Sequence, residues 1–192
     1  MLETKSKTRI LTECSLMVAI SAVLQLIPPM QMPQGGTVTF GAMVPIVFIA
    51  LRHGVKWGLL TAFVGSLVQM LLGGISPPPT ESFFWFLMVV LLDYVIAYTV
   101  LGLASFFAKP LLSTKPLIAV GISAVCVTFM RYICHILSGI LIWNVYAPEG
   151  TPVWIYSIVY NGSYMLPEII ITTFVTVLLW KYIALKAAKS ID

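Results

Sequence analysis

The chain has 192 residues, of which 59% are apolar and only 9% are charged, whereas about a quarter of the residues in ordinary soluble domains are charged. This composition predicts an integral membrane protein. Basic residues are in small excess, and the net charge is +4. No G-x-x-x-x-G-K-[ST] phosphate loop and no H-E-x-x-H zinc motif occurs. The sequence therefore argues against ATP hydrolysis by this chain and against zinc-protease chemistry, and we expect no catalytic residues and no nucleic-acid partner.

Six apolar stretches predict an all-α protein of six transmembrane helices that form a single domain over residues 1–192. In chain order they cover 10–27, 38–51, 57–73, 83–107, 117–143 and 153–180. The stretch 38–51 is short for a hydrocarbon core of roughly 30 Å, and Pro45 interrupts it. We interpret it as a short crossing. The alternative is a re-entrant segment.

The basic residues predict the orientation. All but one of the 11 lysines and arginines lie in the two tails or in the second and fourth connections, whereas the other connections contain only Glu81 and Glu149. Because lysine and arginine in short loops stay on the cytoplasmic side, both termini are predicted to be cytoplasmic. A re-entrant second stretch would invert every later connection. The basic set is Lys5, Lys7, Arg9, Arg52, Lys56, Lys109, Lys115, Lys181, Lys186 and Lys189.

Cysteines are expected to have no special role. Cys14, Cys126 and Cys134 form no C-x-x-C pair, and they fall within or beside apolar stretches. This pattern indicates small buried hydrophobic residues rather than a disulfide or a metal site.

Polar residues at membrane depth mark the candidate site, because ionisable groups there are costly and usually face a cavity. Counted along each helix from its outer end, Asp93 lies roughly 15 Å deep, His135 and Asn161 roughly 12 Å, and Arg131 roughly 18 Å. These residues belong to the last three apolar stretches. They are therefore predicted to converge in one layer of the outer half.

The fifth stretch places a cation, an imidazole, a glycine and an indole on one stripe. Arg131, His135, Gly139 and Trp143 are each four residues apart, and such positions drift only about 40° per step around a helix. Gly139 is expected to leave room for a flat group beside the helix. Tyr156, Tyr160 and Tyr164 of the sixth stretch lie at comparable depths.

Structural alternatives exist for each of these residues. Asp93 and Arg131 can form a buried ion pair that fixes helix register, and His135 can be a core histidine. Trp143, Trp154 and Tyr156 lie where an aromatic belt is expected anyway. Glu168, which follows Pro167, can cap broken backbone as readily as contact a ligand.

The first apolar stretch contains a small-x-x-x-small pair, Ser15 and Ala19. Such a pair allows another helix to approach closely. The approaching helix can belong to the same chain or to a second protein.

Several motifs together resemble a known family. They are ILTE (10–13), MPQGGTVTFGAMVPI (32–46), LDY (92–94), RYICHILSGILIWNVYA (131–147) and YSIVYNG (156–162). With these motifs the chain resembles the thiamine-specific substrate-binding subunits, or S components, of energy-coupling factor (ECF) vitamin transporters. The resemblance covers nearly the whole chain and implies the six-helix S-component fold in a bacterial plasma membrane.

The resemblance also implies roles for individual residues. In the family, an acidic residue followed by tyrosine on the fourth helix, together with histidine, tryptophan, tyrosine and asparagine on the last two helices, surrounds thiamine beneath the first loop. These roles correspond here to Asp93, Tyr94, His135, Trp143, Tyr156 and Asn161. The first-helix pair Ser15 and Ala19 corresponds to the docking surface for a transmembrane coupling subunit, which two ATPase subunits drive.

Thiamine is chemically compatible with this set, because a permanent cation with a flat aminopyrimidine needs a carboxylate, aromatic faces and a few hydrogen-bonding groups. We expect Asp93 to pair with the charge, Trp143 and His135 to stack, and Asn161 and Tyr156 to bind the ring. Arg131 would pair with Asp93 or face the hydroxyl end. The rival functions are capture of another vitamin or precursor, such as riboflavin or hydroxymethylpyrimidine, and a membrane scaffold without a transport role.

Overall fold

The computed structural model describes residues 6–184, so Lys5, Lys186 and Lys189 of the predicted basic set lie outside the described residues. It contains six helices and one small hairpin, and five of the helices are long and apolar enough to cross a membrane. The elements are α1 (Lys7–Leu26), β1 (Met30–Gln31), β2 (Thr37–Val38), α2 (Val44–His53), α3 (Val55–Gly73), α4 (Phe83–Ala108), α5 (Pro116–Leu141) and α6 (Val153–Ile183). The predicted all-α architecture with six helices is confirmed.

The second predicted span differs most from expectation. Its helix begins at Val44 rather than at residue 38, because β2 pairs antiparallel with β1 and Gly41 turns the chain with a φ of 89°. With 10 residues, α2 is about 15 Å long, half the thickness of the hydrocarbon core. Every residue of α2 from Val44 to Leu51 is buried within the protein.

The non-helical segment before α2 hydrogen-bonds to the rest of the bundle. The Thr39 N–H donates to the Glu168 carboxylate, and the Ala42 N–H donates to Thr39 Oγ1 at 3.0 Å. The Ala42 carbonyl accepts from Ser21 Oγ at 2.6 Å. Irregular backbone at membrane depth is tolerated only where protein groups or a cavity satisfy it, and these contacts allow residues 39–43 to lie there.

Helix α4 is irregular where it carries the predicted site residues. A π-helical segment, Val90–Val95, contains Asp93 and Tyr94, and a 3-10 segment follows at Val100–Leu103. Single π turns are frequent at functional sites, because the wider turn redirects side chains.

Small residues allow the helices to pack closely. A Cβ atom at Gly58 of α3 would lie 2.5 Å from the Gly102 carbonyl oxygen of α4, so only glycine permits this approach. A Cβ at Gly162 of α6 would lie 3.0 Å from the Tyr132 hydroxyl of α5. Small residues replace bulky ones at helix interfaces within membranes for this reason.

The start of α1 and the end of α2 lie on the same side of the bundle. Glu13 of α1 contacts Arg52 Nε at 3.0 Å and His53 Nε2 at 2.7 Å, both at the end of α2. The hairpin is therefore at the opposite end, as the alternating loops of the predicted topology require. Which end faces the cytoplasm stays a prediction.

Candidate functional site

One cavity of about 390 Å³ opens beside the hairpin and extends into the bundle. Helices α1, α3, α4, α5 and α6 all contribute to its wall. The structure brings every predicted ligand-binding residue to this wall: Asp93, Tyr94, Arg131, His135, Gly139, Trp143, Tyr156 and Asn161. Their convergence agrees with the depths counted from the sequence, and their binding of a ligand stays a prediction.

Asp93 is held by donors from α5 and the residues that follow it. Ser138 Oγ donates to one carboxylate oxygen at 2.6 Å, and Trp143 Nε1 donates to the same oxygen at 3.0 Å. His135 Nδ1 lies 3.3 Å from the other oxygen. These contacts fix the orientation of the carboxylate, so the π-helical turn presents a positioned acidic side chain to the cavity.

Arg131 does not form the alternative ion pair with Asp93. Among residues 6–184, no Asp93–Arg131 contact falls within 4.0 Å, and the Arg131 Nε and Nη1 atoms are buried without a hydrogen-bond partner. Its guanidinium lies over the Tyr98 ring, 5.0 Å from the centroid. This cation–π contact stabilises the Arg131 charge in part. The Nε and Nη1 atoms stay available as hydrogen-bond donors.

His135 and Asn161 differ in the hydrogen bonds they have left to offer. His135 Nε2 is buried and lacks a partner within the described part of the chain. The Asn161 side-chain nitrogen instead donates to the Ser157 carbonyl at 2.9 Å, and its oxygen accepts from the Tyr164 hydroxyl at 2.6 Å. Asn161 thus ties α6 together beside the cavity, which the sequence did not indicate.

The room predicted beside Gly139 is partly filled. A Cβ atom at Gly139 would collide with Ser157 Oγ and lie 3.1 Å from Asn161 Nδ2. The glycine therefore permits α6 to approach α5 closely, and the space in its Cβ direction is taken by Ser157, although Gly139 still lines the cavity.

Stacked aromatic pairs line the mouth of the cavity. Trp143 stacks on Tyr146 with centroids 6.2 Å apart, and Tyr156 stacks on Tyr160 with centroids 5.6 Å apart. All these rings contribute to the cavity wall, whereas the exposed Trp154 does not. Trp154 fits the aromatic-belt interpretation, and the stacked pairs supply flat faces to the cavity.

The β1–β2 hairpin is fastened over the cavity by tyrosines of α6. The Tyr160 hydroxyl accepts from the Gln34 N–H and donates to the Gly35 carbonyl, each at 2.9 Å. A Cβ atom at Gly36 would lie 2.5 Å from the Tyr164 ring. These contacts hold the hairpin down on α6.

Some wall residues were not predicted from the sequence. They are Gln25, Gln69 and Tyr98, together with Glu168, whose role was left open. Gln25 and Gln69 are amides inside otherwise apolar stretches, and that signal could have identified them. Tyr98 carries no such signal, because tyrosine in a membrane protein is often an interface anchor rather than a ligand contact.

Ser15 and Ala19 do not contribute to the cavity wall. Both are exposed, whereas Cys14, Val18 and Ser21 form the buried face of α1. The predicted small-residue pair is therefore accessible on the surface of the described bundle, and its docking to a second protein stays a prediction.

Comparison with known proteins identifies the family. Residues 11–187 match the family model described as thiamine transporter protein (Thia_YuaJ). The chain belongs to the thiamine transporter protein family. Membership confirms the resemblance drawn from the motifs, and it places the chain in a transport family rather than among enzymes. With its apolar helices, the chain is a multi-pass membrane protein.

Individual members of the thiamine transporter family are similar over most of their length. The thiamine transporter ThiT of Bacillus subtilis (strain 168) is 38% identical over 180 residues, covering 88% of this chain and 89% of that protein. ThiT of Lacticaseibacillus paracasei is 27% identical over 170 residues, covering 85% and 82%. The solved structure of ThiT from Listeria monocytogenes matches with a TM-score of 0.76 at 22% identity, covering 93% and 96%. This last likeness shows a shared fold.

Proposed function

We propose that this chain captures thiamine in the cavity beneath the hairpin and delivers it as the S component of an ECF-type importer. In that importer it would dock on a transmembrane coupling subunit driven by two ATPase subunits. We place it in a bacterial plasma membrane with both termini in the cytoplasm. The named thiamine transporters among its relatives support the substrate.

One observation carries the substrate assignment. The Asp93 carboxylate, fixed by Ser138 and Trp143, lies on the wall of a cavity lined by stacked aromatic rings. A carboxylate attracts a thiazolium charge, and aromatic faces accept a flat cation by stacking and cation–π attraction. A neutral vitamin would gain little from the charge.

The proposed roles follow from which atoms are still free. Asp93 pairs with the cation, and Trp143 and Tyr156 contribute aromatic faces. His135 Nε2 and the Nε and Nη1 atoms of Arg131 have no hydrogen-bond partner in the described residues, so we assign them to hydrogen bonds with ligand nitrogen and oxygen. Asn161 acts indirectly, because its side chain already bonds Ser157 and Tyr164.

Tyr94 of α4 contacts the connection between α3 and α4. Its hydroxyl accepts from the Ser76 N–H at 3.2 Å and so fastens the α3–α4 connection beside the cavity. Gly139 contributes by allowing α6 to approach closely enough for the two helices to share one wall.

The docking assignment uses the exposed face of α1. Ser15 and Ala19 are exposed small residues, and a partner helix can approach closely only where side chains are small. Ile20 is also exposed, but it lies about 100° around the helix from Ala19. Ile20 is therefore a matched control for bulky substitution.

Uptake and binding, measured separately, test the proposal. Cells that lack thiamine uptake would express the chain with and without an ECF coupling module, and uptake of labelled thiamine should require both. Ala19→Trp should abolish uptake while the purified variant still binds thiamine, and Ile20→Trp should leave both intact. Riboflavin and hydroxymethylpyrimidine should compete poorly. Uptake without the module, or equal competition by riboflavin, would contradict the proposal.

A further inference from the structure

A second recess, here called the α3–α4 groove, lies at the end of the molecule opposite the hairpin. It has a volume of about 650 Å³ and lies between the α2–α3 junction and the last turn of α4 with the connection that follows. Its wall comprises Gly54, Val55, Ser105, Phe106, Lys109, Leu112 and Ser113. None of these residues contributes to the cavity beneath the hairpin.

The groove is amphipathic. Val55, Phe106 and Leu112 make an apolar wall, and the Phe106 side chain is 63% exposed. Lys109 is exposed and forms no ion pair within residues 6–184. The apolar wall and the free ammonium group are therefore presented side by side.

The charge of this end of the molecule favours an anion. Four basic residues lie at this end: Arg52 in the last turn of α2, Lys56 in the first turn of α3, and Lys109 and Lys115 in the α4–α5 connection. Within the described range the acidic residue there is Glu13, whose carboxylate already contacts Arg52 and His53. Within residues 6–184, Lys109 therefore forms no ion pair with a carboxylate.

We propose that the α3–α4 groove binds an anionic phospholipid, with its phosphate at Lys109 and the start of an acyl chain along Phe106. Helix ends such as this lie at the level of the lipid headgroups, and basic pockets between helices at that level bind anionic headgroups. A soluble phosphate would use Lys109 but leave the apolar wall uncovered. An anionic phospholipid would contact both Lys109 and the apolar wall, because it carries a charge and hydrocarbon chains on one molecule. The inference does not depend on the identity of the transported substrate.

Native mass spectrometry of the purified full chain tests this assignment. Phosphatidylglycerol and phosphatidylcholine with identical acyl chains would compete at equal concentration, so the headgroup is the only difference. We expect the anionic lipid to be retained about fivefold over the zwitterionic one, the size expected of one lysine attraction near a membrane surface. Thermal stabilisation by each lipid gives a second readout.

Two variants make the test specific. Lys109→Gln should abolish the preference, and Lys109→Arg should preserve it because the charge is kept. Lys115→Gln is the matched control, since Lys115 is exposed in the same connection but does not contribute to the groove wall. Equal loss in Lys109→Gln and Lys115→Gln would show a diffuse surface charge and overturn the site. Displacement of the lipid by soluble glycerophosphoglycerol would overturn the role of the apolar wall.

Discussion

Replacing Asp93 by asparagine should weaken thiamine binding far more than it disturbs the fold. Asparagine keeps the size of the side chain and an oxygen that can accept from Ser138, whose Oγ lies 2.6 Å from the carboxylate. What is lost is the charge facing the ligand. At a separation of about 5 Å and an effective dielectric constant of about 20, that attraction amounts to about 3 kcal/mol. Such a loss raises the Kd of thiamine about 200-fold.

The assay is a binding titration on detergent-solubilised protein, made with two ligands. Thiamine carries the permanent charge, and hydroxymethylpyrimidine carries only the flat ring. Asp93→Asn should weaken thiamine binding strongly and pyrimidine binding only slightly, and Asp93→Glu should retain most of the affinity for thiamine. Equal weakening for both ligands would refute the charge-pairing argument. Intact binding with a lowered melting temperature would show instead that Asp93 is structural.

Three further predictions concern the hairpin, the segment before α2 and the membrane topology. Tyr160→Phe removes both hydrogen bonds to the hairpin. At about 1 kcal/mol per bond, thiamine should dissociate about 30-fold faster in stopped-flow measurements; unchanged dissociation would exclude a role of Tyr160 in holding the hairpin down. Glu168→Leu leaves the Thr39 N–H unpaired and should cost about 1–3 kcal/mol of stability in thermal unfolding, whereas Glu168→Gln keeps an acceptor and should cost less; an equally stable Glu168→Leu would contradict the capping role. In a cysteine-free background, impermeant maleimide should label Thr80→Cys from outside and Thr114→Cys only after lysis; the reverse pattern would invert the topology.

The helices could be predicted from the sequence because the bilayer imposes a simple rule. A segment that crosses it must be long and apolar, and its backbone hydrogen bonds must be satisfied within the protein. That rule failed at residues 38–43, where the backbone is satisfied by Glu168 and Ser21 from distant helices. Contacts of this kind cannot be found by counting along one stretch. The helix boundary at Val44 was therefore missed, although the apolar character of the segment was recognised.

Depth and spacing predicted that the candidate residues converge on one wall. They did not predict the hydrogen bonds among those residues. Four-residue spacing along α5 placed Arg131 and His135 on one face, and both line the cavity. Which groups pair with each other depends on side-chain directions near the π turn of α4, since that turn rotates Asp93 away from regular helical register. For this reason the sequence could not decide between an Asp93–Arg131 pair and the observed contacts with Ser138 and His135.

The central claim, that thiamine occupies the cavity beneath the hairpin, is tested most directly by tryptophan fluorescence of the purified protein. The chain has 5 tryptophans, all within residues 6–184, and Trp143 is the one that contributes to the cavity wall. We predict saturable quenching by thiamine that is largely lost in Trp143→Phe and preserved in Trp154→Phe. Absence of saturable quenching, or full quenching in Trp143→Phe, would contradict thiamine binding at this site.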